Sequence, residues 1–111
     1  MNLIKVSAAS RTSAVAGAIA GMIRQHHQVE IQVVGAGAVN RAVKALIVAN
    51  SYLRLDGIYL GCTPEFAKVT IEDQVRTAIK LIVEPLDLEG LSRPPQLSFF
   101  GDVLSGQADA P

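Results

Sequence analysis

The residues best suited to chemistry are basic side chains near a glycine-containing turn. Gly35 and Gly37 flank a single alanine, after an alternating segment and before a helical one. The backbone amides and dipole at such a helix N-terminus favour an anion such as phosphate. Arg41 and Lys44 follow within the next turns, and Arg11 lies in an earlier loop that could converge on them. The alternative is a tight strand-to-helix turn that needs small residues for its own geometry.

Further polar and basic residues could extend this surface. Asn40 lies beside Arg41 on the polar side of the helix, and Lys68 and Arg76 belong to a long connection later in the chain. Lysine and arginine that neutralise phosphates give salt-dependent binding, although ordinary solvation explains such cations equally well. The predicted nucleic-acid-binding residues are Arg11, Gly35, Gly37, Asn40, Arg41, Lys44, Lys68 and Arg76.

Catalytic and metal-binding chemistry has little support in the sequence. Cys62 is the one cysteine, which excludes an internal disulfide and a cysteine-based zinc site. It alternates with Leu60 in an apolar pattern, so we expect it to be buried. His26 and His27 end a predicted helix, where partial positive charge suits the dipole. We therefore predict no enzymatic activity, no catalytic residue, no metal and no cofactor.

Charge is distributed unevenly along the 111 residues, although the formal net charge is zero. Residues 1–55 carry six basic residues against one acidic residue, a net charge of +5. Residues 87–111 carry one basic residue against four acidic residues, a net charge of −3. A basic domain with an acidic tail hints at a polyanionic partner; a solvated surface with an acidic tail is the alternative.

Two segments show helical periodicity. Residues 13–26 and about 38–52 each repeat apolar residues at helix spacing, which predicts one buried stripe per helix. The predicted stripes are Val15, Ile19, Met22 and Ile23 in the first helix, and Val39, Val43, Leu46 and Ile47 in the second. Gly17 and Gly21 leave the first helix without side chains at two positions, which suggests that another element approaches its backbone closely. We favour packing of the helix on its own sheet over an interface with a partner.

Four segments read as strands. Residues 2–7, 28–34, 58–62 and 77–84 alternate apolar and other side chains. Residues 63–76 form a longer connection that could be a hairpin arm. The order β-α-β-α-β-β predicts an α/β two-layer sandwich with both helices on one face of a sheet. Residues 1–86 would form this domain, and residues 87–111, which lose the periodicity, a flexible acidic tail.

Several strings point to a known family. The runs KVSA, SAVAGAIAG, EIQVVGAGAVNRAVKA and RTAIKLIVEP resemble the stage V sporulation protein S family in order and spacing, over about residues 2–86. That family is similar in fold to the archaeal chromatin protein Alba and to the C-terminal domain of bacterial translation initiation factor three. The resemblance implies a mixed four-stranded sheet, dimerisation, and binding of DNA or RNA.

The chain also departs from Alba. The Alba loop before the second helix carries arginines that meet phosphate, where this chain has Gly35 and Gly37. Arg41 does match a basic Alba position. The resemblance thus implies a thinner basic groove than that of Alba.

Three functions stay open on these grounds. The first is a dimeric or higher homo-oligomeric regulator that binds DNA or RNA through phosphate contacts. The second is a homo-oligomeric protein–protein assembly module without nucleic-acid binding, and the third is a sensor of small anions or nucleotides. The start of the chain lacks a signal-peptide pattern and no apolar run approaches about 20 residues, so we expect a cytoplasmic protein that does not bind membranes.

Overall fold

The computed structural model describes residues 2–87, so most of the predicted tail lies outside the described residues. Six elements follow in the predicted order. They are β1 (Leu3–Val6), α1 (Thr12–His26), β2 (Val29–Val33), α2 (Ala36–Arg54), β3 (Leu60–Ile71) and β4 (Gln74–Pro85).

The strands form one mixed sheet in the order β1-β2-β4-β3. β1 and β2 are parallel, whereas β4 runs antiparallel to both β2 and β3. The connection between parallel strands needs a crossover, which α1 provides. The predicted two-layer architecture with a mixed sheet is therefore confirmed.

The core lies between the sheet and the two helices. Val29, Ile31 and Val33 alternate along β2 and are almost fully buried. Ile19 and Ile23 of α1 are completely buried against this layer, as the predicted stripe required. Apolar residues recur at every second position in the strands and at every third or fourth position in α1. Each element therefore has one apolar face, and these faces pack against each other between the two layers.

The buried face of α2 differs from the predicted one. Its core residues are Leu53 and an alanine stripe, Ala38, Ala42, Ala45 and Ala49, all fully buried. By contrast, Val43 and Ile47 are 47% and 66% exposed. The predicted stripe was wrong for Val43 and Ile47, whereas Val39 and Leu46 are partly buried and pack against the core. The buried face is shifted toward the alanines because small residues let α2 pack closely along α1.

The glycines of α1 do not serve close packing against any of residues 2–87. A Cβ placed at Gly17 or Gly21 would have no heavy atom within 4 Å outside its own neighbourhood. The preferred interpretation, tight packing on the sheet, was therefore wrong. Ala16 and Ala20 are the small α1 residues that lie in the core.

β3 and β4 form a long hairpin arm. Their ladder runs from Leu60 paired with Pro85 to Ile71 paired with Gln74, but β2 pairs only with the last part of β4. The turn residues Glu72 and Asp73 have φ of 51° and 64°. Two such residues make the type I′ geometry that suits a two-residue hairpin. The predicted arm is confirmed, with strands that extend farther than the alternation indicated.

Candidate nucleic-acid interface

The turn before α2 brings the loop between β1 and α1 onto the helix. Gly35 is the residue before the helix and has φ of 93° and ψ of 155°, a backbone region open almost only to glycine. Gly37 lies inside the first turn, and a Cβ there would meet the Cβ of Ala8 at 3.3 Å. The two glycines thus have separate tasks, one in the turn and one in the loop contact.

Hydrogen bonds hold this loop in place. The Ser7 amide donates to Ser10 Oγ at 2.9 Å, and the Ala9 amide donates to Ser7 Oγ at 3.2 Å. Arg41 Nη1 then donates to the Ser10 carbonyl oxygen at 3.1 Å, across 31 residues of sequence. A long-range bond from an exposed arginine fixes the loop against α2, so the guanidinium is oriented before any ligand arrives.

The loop and the helix enclose a cleft of about 290 Å³, here called the basic cleft, lined by Ala8, Thr12, Gly37, Asn40, Arg41 and Lys44. Thr12 is the first residue of α1 and Gly37 belongs to the first turn of α2. Neither helix has a side-chain cap or an acidic residue in its first turn. Amides without caps at two helix N-termini favour an anion in this cleft.

No carboxylate neutralises these cations within residues 2–87. The ion pairs there join Arg24 Nε to Asp56 Oδ2 at 2.9 Å and Lys80 Nζ to Glu65 Oε1 at 3.5 Å. Arg41 and Lys44 take part in neither pair. The positive charge of the cleft is therefore free to act on a ligand, although exposure lets salt screen it.

Arg11 lies beside the cleft without lining it. It is exposed, precedes the first turn of α1, and its carbonyl accepts the Val15 amide at 3.0 Å. Its neighbour Ser10 is the residue that Arg41 holds. Of the three cations predicted to converge, the structure brings Arg41 and Lys44 into one cleft and places the backbone of Arg11 at its border.

The predicted arm cations do not share one surface. Lys68 is paired with Thr77 and Arg76 with Val69, so Lys68 and Arg76 project from opposite faces of the arm. Arg76 shares the face of Lys80, the face away from the helices. A single track through both arm residues is therefore absent from the described part of the chain.

Tyr59, the aromatic residue that directly precedes β3, is in contact with an arginine of α2. The Arg54 guanidinium lies 5.5 Å from the centre of the Tyr59 ring. A cation over a ring face is an attractive contact in its own right. Arg54 is the last residue of α2, whereas the basic cleft lies at the beginning of that helix, so this pair lies apart from the cleft.

An apolar groove between α2 and β3 was not predicted. It has a volume of about 200 Å³ and is lined by Val43, Leu46, Ile47, Asn50, Leu60 and Cys62. This set, called the apolar groove below, contains three of the four α2 residues that were expected in the core. The signal in the sequence was a second small-residue stripe on α2, four alanines at helix spacing.

Cys62 lies in this groove and is exposed, so its predicted burial was wrong. Alternation places it on the helix side of the sheet, paired with Val83, but β3 is the edge strand and the helices do not cover it. Partial burial still raises the pKa of the Cys62 thiol by desolvation. The thiol is therefore largely protonated at neutral pH.

A second apolar surface continues along β3 onto the arm. Phe66 is 84% exposed and lines a cavity of about 240 Å³ with Pro64, Glu65 and Ile79. Pro64 is tolerated because β3 is an edge strand whose outer side has no partner strand in the described part of the chain. Large exposed apolar side chains on neighbouring elements are typical of interaction surfaces.

Residues 2–87 contain neither a metal-binding cluster nor a membrane-spanning helix. No group of three or more histidine, cysteine, aspartate or glutamate side chains there could hold a metal ion. Neither helix combines the length and the hydropathy needed to cross a bilayer.

Comparisons with known proteins identify relatives of this architecture. The family model described as stage V sporulation protein S matches residues 2–86. Among solved structures, the chain is similar to ALBA1 from Trypanosoma brucei, with a TM-score of 0.50 and 12% sequence identity. That match covers 99% of this chain and 97% of the other. At this identity the structural likeness establishes the Alba-like fold alone.

Proposed function

Because this chain belongs to the stage V sporulation protein S family, we propose that it is a non-enzymatic regulatory protein that binds DNA or RNA through phosphate contacts. The family and the Alba-like fold support a regulatory protein of the sporulation type. Nucleic-acid binding is the additional step, and it depends on the basic cleft.

One observation carries this step: two uncapped helix N-termini meet, in one cleft, two cations that form no ion pair among residues 2–87. Amides of α1 and α2, the Arg41 guanidinium and the Lys44 ammonium all favour an anion, and the lining contains no acidic residue. Thr12 and Asn40 add polar side chains that can donate hydrogen bonds to phosphate oxygens. This combination suits a phosphate better than an uncharged ligand.

The expected contacts are with the backbone of the nucleic acid, and they are few. Arg41, Lys44 and Arg11 would neutralise about three phosphates per protomer, which predicts a slope of about −2 to −3 in log K against log salt. The cleft offers no aromatic platform for base stacking. We therefore expect weak sequence preference and strong sensitivity to salt. Lys68 and Arg76 on the arm would add contacts only in a complex that reaches the arm.

The test is fluorescence anisotropy of labelled DNA and RNA over a series of salt concentrations. We expect Arg41→Glu to lower the affinity about tenfold at low salt and to reduce the salt slope by about 1. Arg54→Glu is the matched control, because it makes the same charge change at the other end of the same helix, about 20 Å away. Equal effects of the two substitutions, or none from Arg41→Glu, would refute the placement.

A small anion is the competing ligand for the same cleft. A thermal-shift series with inorganic phosphate and phosphorylated metabolites separates the two possibilities. Stabilisation by a metabolite, abolished by Arg41→Glu and without binding of DNA or RNA, would favour the sensor over the nucleic-acid binder.

A second candidate function is homo-oligomeric assembly without nucleic-acid binding, favoured by the apolar groove. Val43 and Ile47 expose large apolar surface beside the unpaired edge of β3. A second copy of the chain that covers this surface would bury it in a dimer or a higher oligomer. Light scattering over a range of protein concentrations tests this assembly, with Ile47→Asp as the disruptive variant. Ser51→Asp, one turn farther along α2 and outside the groove, is its control.

The remaining parts of the proposal concern location and domain limits. We propose a cytoplasmic location, because a chain with a single cysteine cannot form the internal disulfides that are common in secreted proteins. Residues 1–86 would act as the folded domain and residues 87–111 as an acidic extension. Limited proteolysis with mass spectrometry tests this division.

A further inference from the structure

We infer that residues 97–100 of this same chain bind in the apolar groove and compete there with a second copy. The inference rests on the proposed assembly, because it concerns the same surface. It assigns the C-terminal extension a role in controlling how much of the chain assembles.

The described chain ends beside this groove. The Leu86 amide donates to the Tyr59 carbonyl oxygen at 2.7 Å, and the next residue, Leu60, lines the groove. A Cβ at Gly61 would lie 2.5 Å from Leu86 Cδ2, so the glycine makes room for Leu86 at this edge. Gly61 alternates with the groove residues Leu60 and Cys62, so this contact places the Leu86 side chain on the other face of the sheet. The backbone of Leu86 still lies at the end of β3 that lines the groove, so the extension starts at that edge, where the family match ends.

The first strongly apolar cluster of the extension lies within reach. Leu97 lies ten positions after Asp87, and an extended chain spans up to about 35 Å over that length. The groove runs along α2 from Val43 to Asn50, about 10 Å of helix. Such a short connection gives a high effective concentration of the segment at the groove.

The composition of the segment suits the groove and its border. Leu97, Phe99 and Phe100 supply large apolar side chains, and residues 87–111 carry a net charge of −3. Lys44 adjoins the groove residue Val43, and Arg54 lies over Tyr59 where the chain leaves the domain. The apolar side chains of the segment thus match the apolar groove, and the acidic residues of the extension match the cations at the border of the groove.

Edge strand β3 offers a way to hold an extended segment. Its side away from β4 has no strand partner among residues 2–87, and added strands bind such edges by backbone hydrogen bonds. In a segment bound this way, Leu97 and Phe99 would project toward the same side. That side would be the groove, next to Cys62 and Leu60.

Cys62 provides the readout, because it lines the groove and is the single cysteine. The rate of its alkylation by iodoacetamide is measured on the full chain across protein concentrations. At the lowest concentration we expect Phe99→Ser to raise the rate about tenfold over the unsubstituted chain, a factor typical of losing one large apolar contact. Val103→Ser, an apolar-to-polar change outside the segment, should leave the rate unchanged.

The outcomes separate the two occupants of the groove. Equal rates for the unsubstituted chain and Phe99→Ser at every concentration would overturn the inference. If the rate falls equally in all variants as concentration rises, a second copy alone covers the groove, and assembly stands without the segment. Anisotropy with Arg41→Glu remains an independent measure of nucleic-acid binding, so its failure is distinguishable from failure here.

Discussion

The orientation of α2 predicts losses of stability of very different size for two apolar residues of the same helix. Leu53 is fully buried, whereas Ile47 is 66% exposed. Full burial of an isoleucine side chain is worth about 1.5–3 kcal/mol. About one third of the Ile47 surface is covered, so we expect Ile47→Ala to lower the free energy of unfolding by only about 0.5–1 kcal/mol. Leu53→Ala should lower it by about 2–5 kcal/mol.

Urea unfolding followed by circular dichroism at low protein concentration measures both values. If a second copy covers Ile47, the cost of Ile47→Ala increases with protein concentration, because assembly stabilises the folded chain by mass action. Leu53 is fully buried in the core, so the loss of stability caused by Leu53→Ala should not depend on protein concentration. A loss above about 2 kcal/mol for Ile47→Ala at the lowest concentration would refute the orientation of α2 described above.

Two further predictions concern glycine and cysteine. Gly17→Ala should stabilise the chain by about 0.5–1 kcal/mol, because the position is helical and has open space around it. Gly35→Ala should destabilise the chain by about 1–3 kcal/mol, because a φ of 93° strains an alanine. Thermal unfolding of both variants measures whether stability rises or falls. Burial raises the pKa of Cys62, so the folded chain keeps a proton that the unfolded chain releases near the ordinary pKa of 9.0. The free energy of unfolding should therefore fall as pH rises through and above 9.0, and Cys62→Ser should remove that part of the loss, as urea unfolding on both sides of this pH would test.

The sheet and α1 were predictable because one physical rule decided each. Val29, Ile31 and Val33 alternate without interruption, and a half-buried strand is the one regular element with that period. In α1 the largest apolar residues, such as Ile19 and Ile23, are also the buried ones.

The orientation of α2 could not be predicted because two stripes at helix spacing competed. Hydropathy favours Val43 and Ile47, but the distance between the helices decides which stripe fits, and that distance is a tertiary property. Ala45 and its companions allow α2 to lie close to α1. The predicted burial of Cys62 was wrong for a related reason. Alternation assigns a residue to one face of the sheet but does not show whether a helix covers that face at this residue.

The candidate site was predicted in part. Gly35, Arg41 and Lys44 were identified because a glycine turn before a helix with nearby cations is a local pattern. The contact between Ala8 and Gly37 and the hydrogen bond from Arg41 to Ser10 are long-range, so no local pattern reports them. They explain why the loop and the helix form one cleft.

Packing α2 through alanine couples the two surfaces proposed here. Once the small stripe faces the core, Val43 must face outward, and its neighbour Lys44 lines the basic cleft. A second copy on the apolar groove would then lie beside the cleft and bring a second cleft into the same assembly. Two clefts on one particle contact about twice as many phosphates, which steepens the salt dependence of binding. Ile47→Asp should therefore weaken nucleic-acid binding although it touches no phosphate, whereas Ser51→Asp, which adds the same charge outside the groove, should not.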